Sequence, residues 1–140
     1  MPKTSVTDHL ATVPLFTACS KKELGVIAKA GTEMSFPDGT ELMKQDQSAR
    51  EAFVVTEGTV VVKRNGRKVA ELGPGSILGE MGLLDKGPRT ATVTTQGPVE
   101  ALVLGPREFA GLLDEVPSIS HKLLKAMAAR IRELDTKAYG

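Results

Sequence analysis

"FVVTEGTVVVKRNGRKVAEL", residues 53–72, holds three short runs rich in Val, Thr and Leu, broken by "EG" at 57–58 and "NG" at 65–66. Val and Thr suit a pleated, half-buried surface, so each run reads as a strand. Asn65-Gly66 predicts a type I′ turn, because both of its central residues must accept positive φ; the runs at 59–64 and 68–72 become the arms of one hairpin. The texture continues outward. "PDG" at 37–39, "GPG" at 73–75 and "QGP" at 96–98 punctuate the chain, and further strand-like runs lie at 90–95 and 99–104. Turn signals at roughly eight- to twelve-residue intervals predict an all-β sandwich or barrel.

On both sides the period becomes helical. Leu10, Val13, Leu15 and Phe16 are apolar, and Ser20-Lys21-Lys22-Glu23 has the S-x-x-E pattern of a capping box ahead of Leu24, Val26 and Ile27. One or two short helices ending at Gly31 follow. After Leu104, Pro106 suits a first helical turn, Phe109, Leu112 and Leu113 mark one face, and Pro117 restarts a second helix. There Leu123, Leu124, Met127, Ile131 and Leu134 recur at helical spacings, while Lys122, Lys125, Arg132 and Glu133 fall mostly elsewhere. Periodicity alone predicts a core helix with this face buried; a movable lid or a dimerisation helix is the functional alternative.

No repeat, low-complexity tract or linker divides the chain. It reads as one unit over 1–140, with a helical segment at 7–31, a β-barrel at 32–105 and C-terminal helices at 106–137. Eighteen basic against seventeen acidic residues give a formal charge of +1, without the global basic field of a nucleic-acid binder. An anion must therefore be captured locally. Cys19 is the single cysteine and forms no intrachain disulfide, and the N-terminus lacks a signal-like apolar run. No segment approaches about 18 consecutive apolar residues, so no membrane span is expected. These features predict a reduced, cytoplasmic setting.

Several chemistries are disfavoured. A metal-dependent barrel enzyme needs several His and carboxylate ligands inside the barrel, yet His9 and His121 fall in the flanking helical segments and read as surface residues. No metal site and no catalytic residue are expected. Cys19 and the serines have no nearby base in sequence to suggest a nucleophile, and Cys19 reads as a buried or half-buried small residue. The glycines of "GPGSILGEMG" do not match G-x-G-x-x-G, and no βαβ pattern surrounds them.

The remaining signal is "SILGEMGLLDKGPRTATV", residues 76–93, in which the carboxylate Glu80 and the guanidinium Arg89 are set among glycines. Two unrelated surface charges, or a surface ion pair contributing about 0 to 1 kcal/mol, are the plain alternatives. Gly79 and Gly82 bracket Glu80 and permit close backbone approach. "EMGLL" could form a helical turn whose amides attract an anion, and Arg89 follows a Gly87-Pro88 turn with a planar five-donor group. A ligand with an anionic phosphate and a neighbouring hydroxyl would satisfy amides, arginine and carboxylate together. A nucleotide fits.

These residues resemble the phosphate-binding cassette of cyclic-nucleotide-binding domains, the family of the catabolite activator protein, protein kinase A regulatory subunits and cyclic-nucleotide-gated channels. The family's Gly-Glu pair, short helix and Pro-Arg-[Ser/Thr/Ala]-Ala correspond to Gly79-Glu80, residues 81–84 and Pro88-Arg89-Thr90-Ala91. The likeness runs from about Pro14 through Ile131 and includes "PLF…S..EL" and "VVTEGTVVV". It implies a mainly β fold with flanking α: an eight-stranded antiparallel jelly-roll barrel with N-terminal helices and two C-terminal helices.

By the same resemblance Glu80 would accept the ribose 2′-hydroxyl. Arg89 would pair with the cyclic phosphate, helped by Thr90 and by amides near Gly79, Met81 and Ala91. Val62, Val69, Leu72 and Leu78 would line the base and ribose pocket, and Arg130, Ile131 and Leu134 would form the lid. Thr90 permits either purine; the catabolite activator protein's polar adenine-reading positions are Leu134 and Asp135 here, which leaves Arg130 as the candidate purine cap. Cyclic AMP is favoured over cyclic GMP, as a ligand rather than a cofactor. The expected protein is a non-enzymatic sensor whose C-terminal helix closes and signals to a partner protein or a second copy. Because the sequence stops at "TKAYG", no helix-turn-helix, kinase or channel pore is expected after it, and no nucleic acid partner. The alternatives are an excised regulatory domain of a channel, transporter or kinase, and a degenerate jelly-roll module without ligand.

Overall fold

The computed structural model describes residues 6–13, 16–48, 50–79 and 88–139, with side chains for all of these except 126, 127, 130 and 133–139. Helices α1 (Val6–Ala11) and α2 (Lys21–Ala30) precede strands β1 (Thr32–Phe36), β2 (Glu41–Met43), β3 (Ala52–Arg64), β4 (Arg67–Leu72), β5 (Ile77–Leu78) and β6 (Thr92–Leu104). Helices α3 (Pro106–Glu115) and α4 (Pro117–Tyr139) follow. The S-x-x-E signature forms its capping box. The Glu23 amide donates to Ser20 Oγ at 3.1 Å, and the Ser20 amide donates to Glu23 Oε1 at 2.8 Å. Two otherwise orphaned donors are thereby satisfied at the start of α2.

All strand pairs are antiparallel. The long strands β3 and β6 form the spine, β1 and β2 pair with opposite halves of β6, and β5 and β4 pair with opposite halves of β3. The described residues therefore form six strands, in a sheet that does not close, where the sequence and the family likeness predicted an eight-stranded barrel. The difference arises at two bends. Runs expected as separate strands at 53–56 and 59–64 are one strand, β3, and those at 90–95 and 99–104 are one strand, β6, because the ladder resumes after register shifts around Glu57. Gly58 enables the bend. Its φ is +93°, and a Cβ there would strike the Pro98 carbonyl and lie 3.0 Å from Val99 Cα.

Burial explains why the central run is apolar without alternation. Ala52 and Val54 pack into a cluster with Leu102, Leu104 and the helices, contributed by Leu10, Ile27, Phe109 and Ile119 among others. Their neighbours Phe53 and Val55 face the other way, into a second cluster with Val60, Leu78, Val93, Val99 and Val103. A strand covered on both faces loses the in-out pattern of a half-exposed one. Within the second cluster the rings of Phe36 and Phe53 meet edge to face at 6.2 Å.

The helical ends follow the sequence with two exceptions. Ile119 and Leu123 of α4 are buried, but Leu124 and Ile131 are 64% and 65% exposed. The face expected to be wholly buried is thus covered in the first turns and uncovered at these two positions. His9, expected at the surface, is half-buried on α1, whereas His121 is exposed.

Candidate ligand site

Arg89 sits just before β6 and is 8% exposed. A buried guanidinium needs acceptors, since desolvating a cation without them is costly. Here Nη1 donates to the Gly79 carbonyl at 3.2 Å and Nη2 to the Glu51 carbonyl at 2.5 Å. The backbone of Arg89 is held as well. Its amide donates to the Gln47 carbonyl at 2.7 Å, and its carbonyl accepts from the Asp46 amide at 2.8 Å. Neighbouring Pro88 forms an isolated antiparallel bridge with Ser48.

The turn that grips Arg89 depends on Asp46, which adopts a positive φ of 71°. Asp tolerates this left-handed region better than most residues. Gly79, at φ +81°, makes the approach from the other side. A Cβ on it would run into the Arg89 guanidinium and lie 3.0 Å from both the Glu51 carbonyl oxygen and Met43 Sδ. The position admits no side chain. Beside Arg89 opens a cavity of about 580 Å³, lined by Glu41, Met43, Lys44, Arg50 and Glu51 among others.

The remaining candidate residues are placed as follows. Thr90 is exposed, and its carbonyl accepts from Arg64 Nε at 3.1 Å. Ala91 is buried at 8% exposure. Leu78 belongs to the inner apolar cluster, with Val62 and Leu72 packed against it. Val69 stands apart: β4 skips it, pairing Ala70 with Val62 and Lys68 with Lys63, so it is the extra residue of a bulge and 52% exposed. Bulges re-aim side chains in this way. Glu80 and Met81 lie outside the described residues. Arg130 and Leu134 belong to α4, but their side chains are likewise outside the description; Ile131 is exposed.

The loop between β2 and β3 was not singled out by sequence reasoning, yet it supplies most of the grip on Arg89. Gln47 and Glu51 act through carbonyls, which every residue type owns, so only Asp46 before "QS" carried a turn-like signal. The same loop is tied to its surroundings by side chains. The Gln45 amide donates to Thr92 Oγ1 at 3.0 Å, and Gln45 makes two 2.8 Å bonds to Asn65 at the hairpin tip.

Among the described residues no cluster of His, Cys, Asp or Glu is arranged to hold a metal, and no helix is long and apolar enough to cross a membrane. The arrangement is a cavity with the Arg89 guanidinium held in its wall, among the carboxylates of Glu41, Asp46 and Glu51 and the cations of Lys44 and Arg50.

A family model described as the cyclic nucleotide-binding domain matches residues 33–116, and the chain belongs to that family. It is similar to the cyclic AMP receptor protein of Thermus thermophilus, 30% identical over 127 residues that cover 87% of this chain and 59% of the relative. It is also similar to a cAMP-dependent protein kinase regulatory subunit of Mucor circinelloides, 33% identical over 114 residues, covering 79% of this chain and 27% of the relative. The chain thus spans well under two thirds of either relative's length. Among solved structures, the Thermus thermophilus catabolite activator protein superposes with a TM-score of 0.81 at 30% identity, covering 89% of this chain and 61% of that one. The N-terminal domain of a transcriptional regulator from Streptomyces coelicolor gives 0.76 at 33% identity, covering 92% and 96%.

Proposed function

We propose that the chain is a cyclic-nucleotide sensor that holds its ligand against Arg89, prefers cyclic AMP to cyclic GMP, and reports occupancy through α4. The observation that carries this reading is the fixed Arg89 guanidinium, buried in a cavity wall and held by carbonyls of two separate loops. A cation already oriented by its partners loses less freedom on binding a phosphate than a mobile one. Two or three charge-assisted hydrogen bonds at about 1.5 to 3 kcal/mol each, with burial of the purine, are enough for the roughly 8 kcal/mol of a micromolar ligand.

In this reading Arg89 pairs with the cyclic phosphate, the amides near Gly79, Met81 and Ala91 and the Thr90 hydroxyl assist, and Glu80 accepts from the ribose 2′-hydroxyl. Val62, Val69, Leu72 and Leu78 border the base and ribose. The half-exposed Val69 then gains an apolar partner when ligand arrives. Cyclic AMP is preferred because the names of both curated relatives refer to that nucleotide. The bent strands β3 and β6 support the family's jelly-roll topology over 32–105, within one unit spanning 1–140. No bond is made or broken; the chain acts by binding.

Exposed Leu124 and Ile131 support a role for α4 as the moving part, with Arg130, Ile131 and Leu134 closing over the ligand or meeting a partner protein or second copy. Ligand shifts such a helix only by binding its closed position more tightly. A cytoplasmic regulatory domain within a larger channel, transporter or kinase would use the same switch. Hydrogen exchange with and without cyclic AMP tests the coupling: slower exchange in the second half of α4 is expected, and unchanged exchange there would remove the helix from the account. For the site itself, Arg89→Ala is expected to lose at least about 2 kcal/mol of binding energy, more than thirtyfold in affinity. Calorimetry showing wild-type affinity in a folded variant would dismiss Arg89 as the phosphate ligand.

A further inference from the structure

The β3–β4 hairpin carries a charge arrangement that its fold does not explain. In the ladder Lys63 lies directly opposite Lys68, and Arg64 directly opposite Arg67. Like charges facing each other across antiparallel strands destabilise the pair. The tip thus presents four cations in six residues, "KRNGRK", in a chain whose formal net charge is +1. All four are exposed.

The tip is also tied down by hydrogen bonds. Asn65 and Gly66 take positive φ of 54° and 79°, as a type I′ turn requires. Gln45 holds Asn65 with two hydrogen bonds, and Arg64 Nε is anchored on the Thr90 carbonyl. One carboxylate moderates the cluster: Glu71 accepts from Lys68 Nζ at 2.6 Å in an exposed pair. A fixed scaffold holding two facing pairs of cations is an arrangement that an acidic partner would relieve.

We infer that this hairpin tip is a docking point for a short acidic segment, a run of Asp and Glu on a partner protein. A nucleic acid is the weaker occupant, because residues 63–68 offer no aromatic ring for base stacking. A membrane is weaker too, because the turn ends in Asn65-Gly66 with no apolar side chain to insert. A patch of this size suits a few carboxylates rather than an extended polyanion.

The test uses a fluorescent octaglutamate peptide, an oligothymidylate of equal length and phosphatidylserine vesicles as probes of the whole chain at low salt. The peptide is expected to bind more tightly than the other two. Lys63→Gln/Arg67→Gln is expected to weaken peptide binding by about tenfold or more, while Lys21→Gln/Lys22→Gln, an equal charge change on α2, weakens it less than about twofold. The hairpin variant should melt no lower than wild type, since it removes one member of each facing pair. Tighter binding of oligonucleotide or vesicle, equal effects of the two double variants, or a lower melting temperature of the hairpin variant would each overturn the inference.

Discussion

Arg89 shows how one side chain can be placed by backbone carbonyls, with residue type deciding only at Gly79 and Asp46. Its guanidinium rests on the Gly79 and Glu51 carbonyls, and its backbone on Asp46 and Gln47. Arg89→Lys keeps the charge but not the planar fork, so affinity for cyclic AMP should fall between that of wild type and Arg89→Ala in the same calorimetric series. Wild-type affinity in the lysine variant would mean that charge alone suffices. Gly58 gives a prediction of a different kind. Any side chain there combines left-handed backbone with a collision at Pro98, so Gly58→Ala should lower stability by about 2 kcal/mol or more in urea unfolding. At this scale the sequence was readable where chemistry is tied to residue type: the Pro88-Arg89-Thr90-Ala91 motif announced the arginine. It was unreadable for the carbonyls of Gln47 and Glu51, because a backbone oxygen leaves no mark on the residue that carries it.

Among the elements, α2 was legible down to its first hydrogen bonds. Ser20→Ala removes the cap on the Glu23 amide and should cost about 0.5 to 2 kcal/mol, with the loss read as a lower denaturation midpoint at unchanged slope. The β3–β4 hairpin was equally clear, because Asn65-Gly66 permits few other conformations. The strand count was not. Glu57-Gly58 and Gln96-Gly97 look like loop punctuation, yet the chain bends there and continues its ladder, so four expected runs became two strands of thirteen residues. Strands β1, β2 and β5 escaped notice for the opposite reason. β1 is largely exposed, while β2 and β5 are only three and two residues long, too short to establish a period.

For the whole molecule, β3 and β6 join two apolar clusters, one shared with the helices and one within the sheet. Leu102 is fully buried in the helix-facing cluster, and Leu102→Ala should cost about 2 to 5 kcal/mol in thermal or denaturant unfolding. Ile131→Ala, on the uncovered part of α4, should change stability by less than about 0.5 kcal/mol. That contrast follows from a helix anchored at Ile119 and Leu123 and uncovered at Leu124 and Ile131, which periodicity could not distinguish from a helix buried along its length. On the reading proposed above, a cyclic nucleotide binds against Arg89, with cyclic AMP ahead of cyclic GMP. The most direct measurement is a calorimetric titration of the chain with cyclic AMP, cyclic GMP and linear AMP. The expected result is saturable binding near micromolar for cyclic AMP, weaker binding of cyclic GMP and none of linear AMP. Absence of heat with both cyclic nucleotides, or equal affinity for linear AMP, would contradict it.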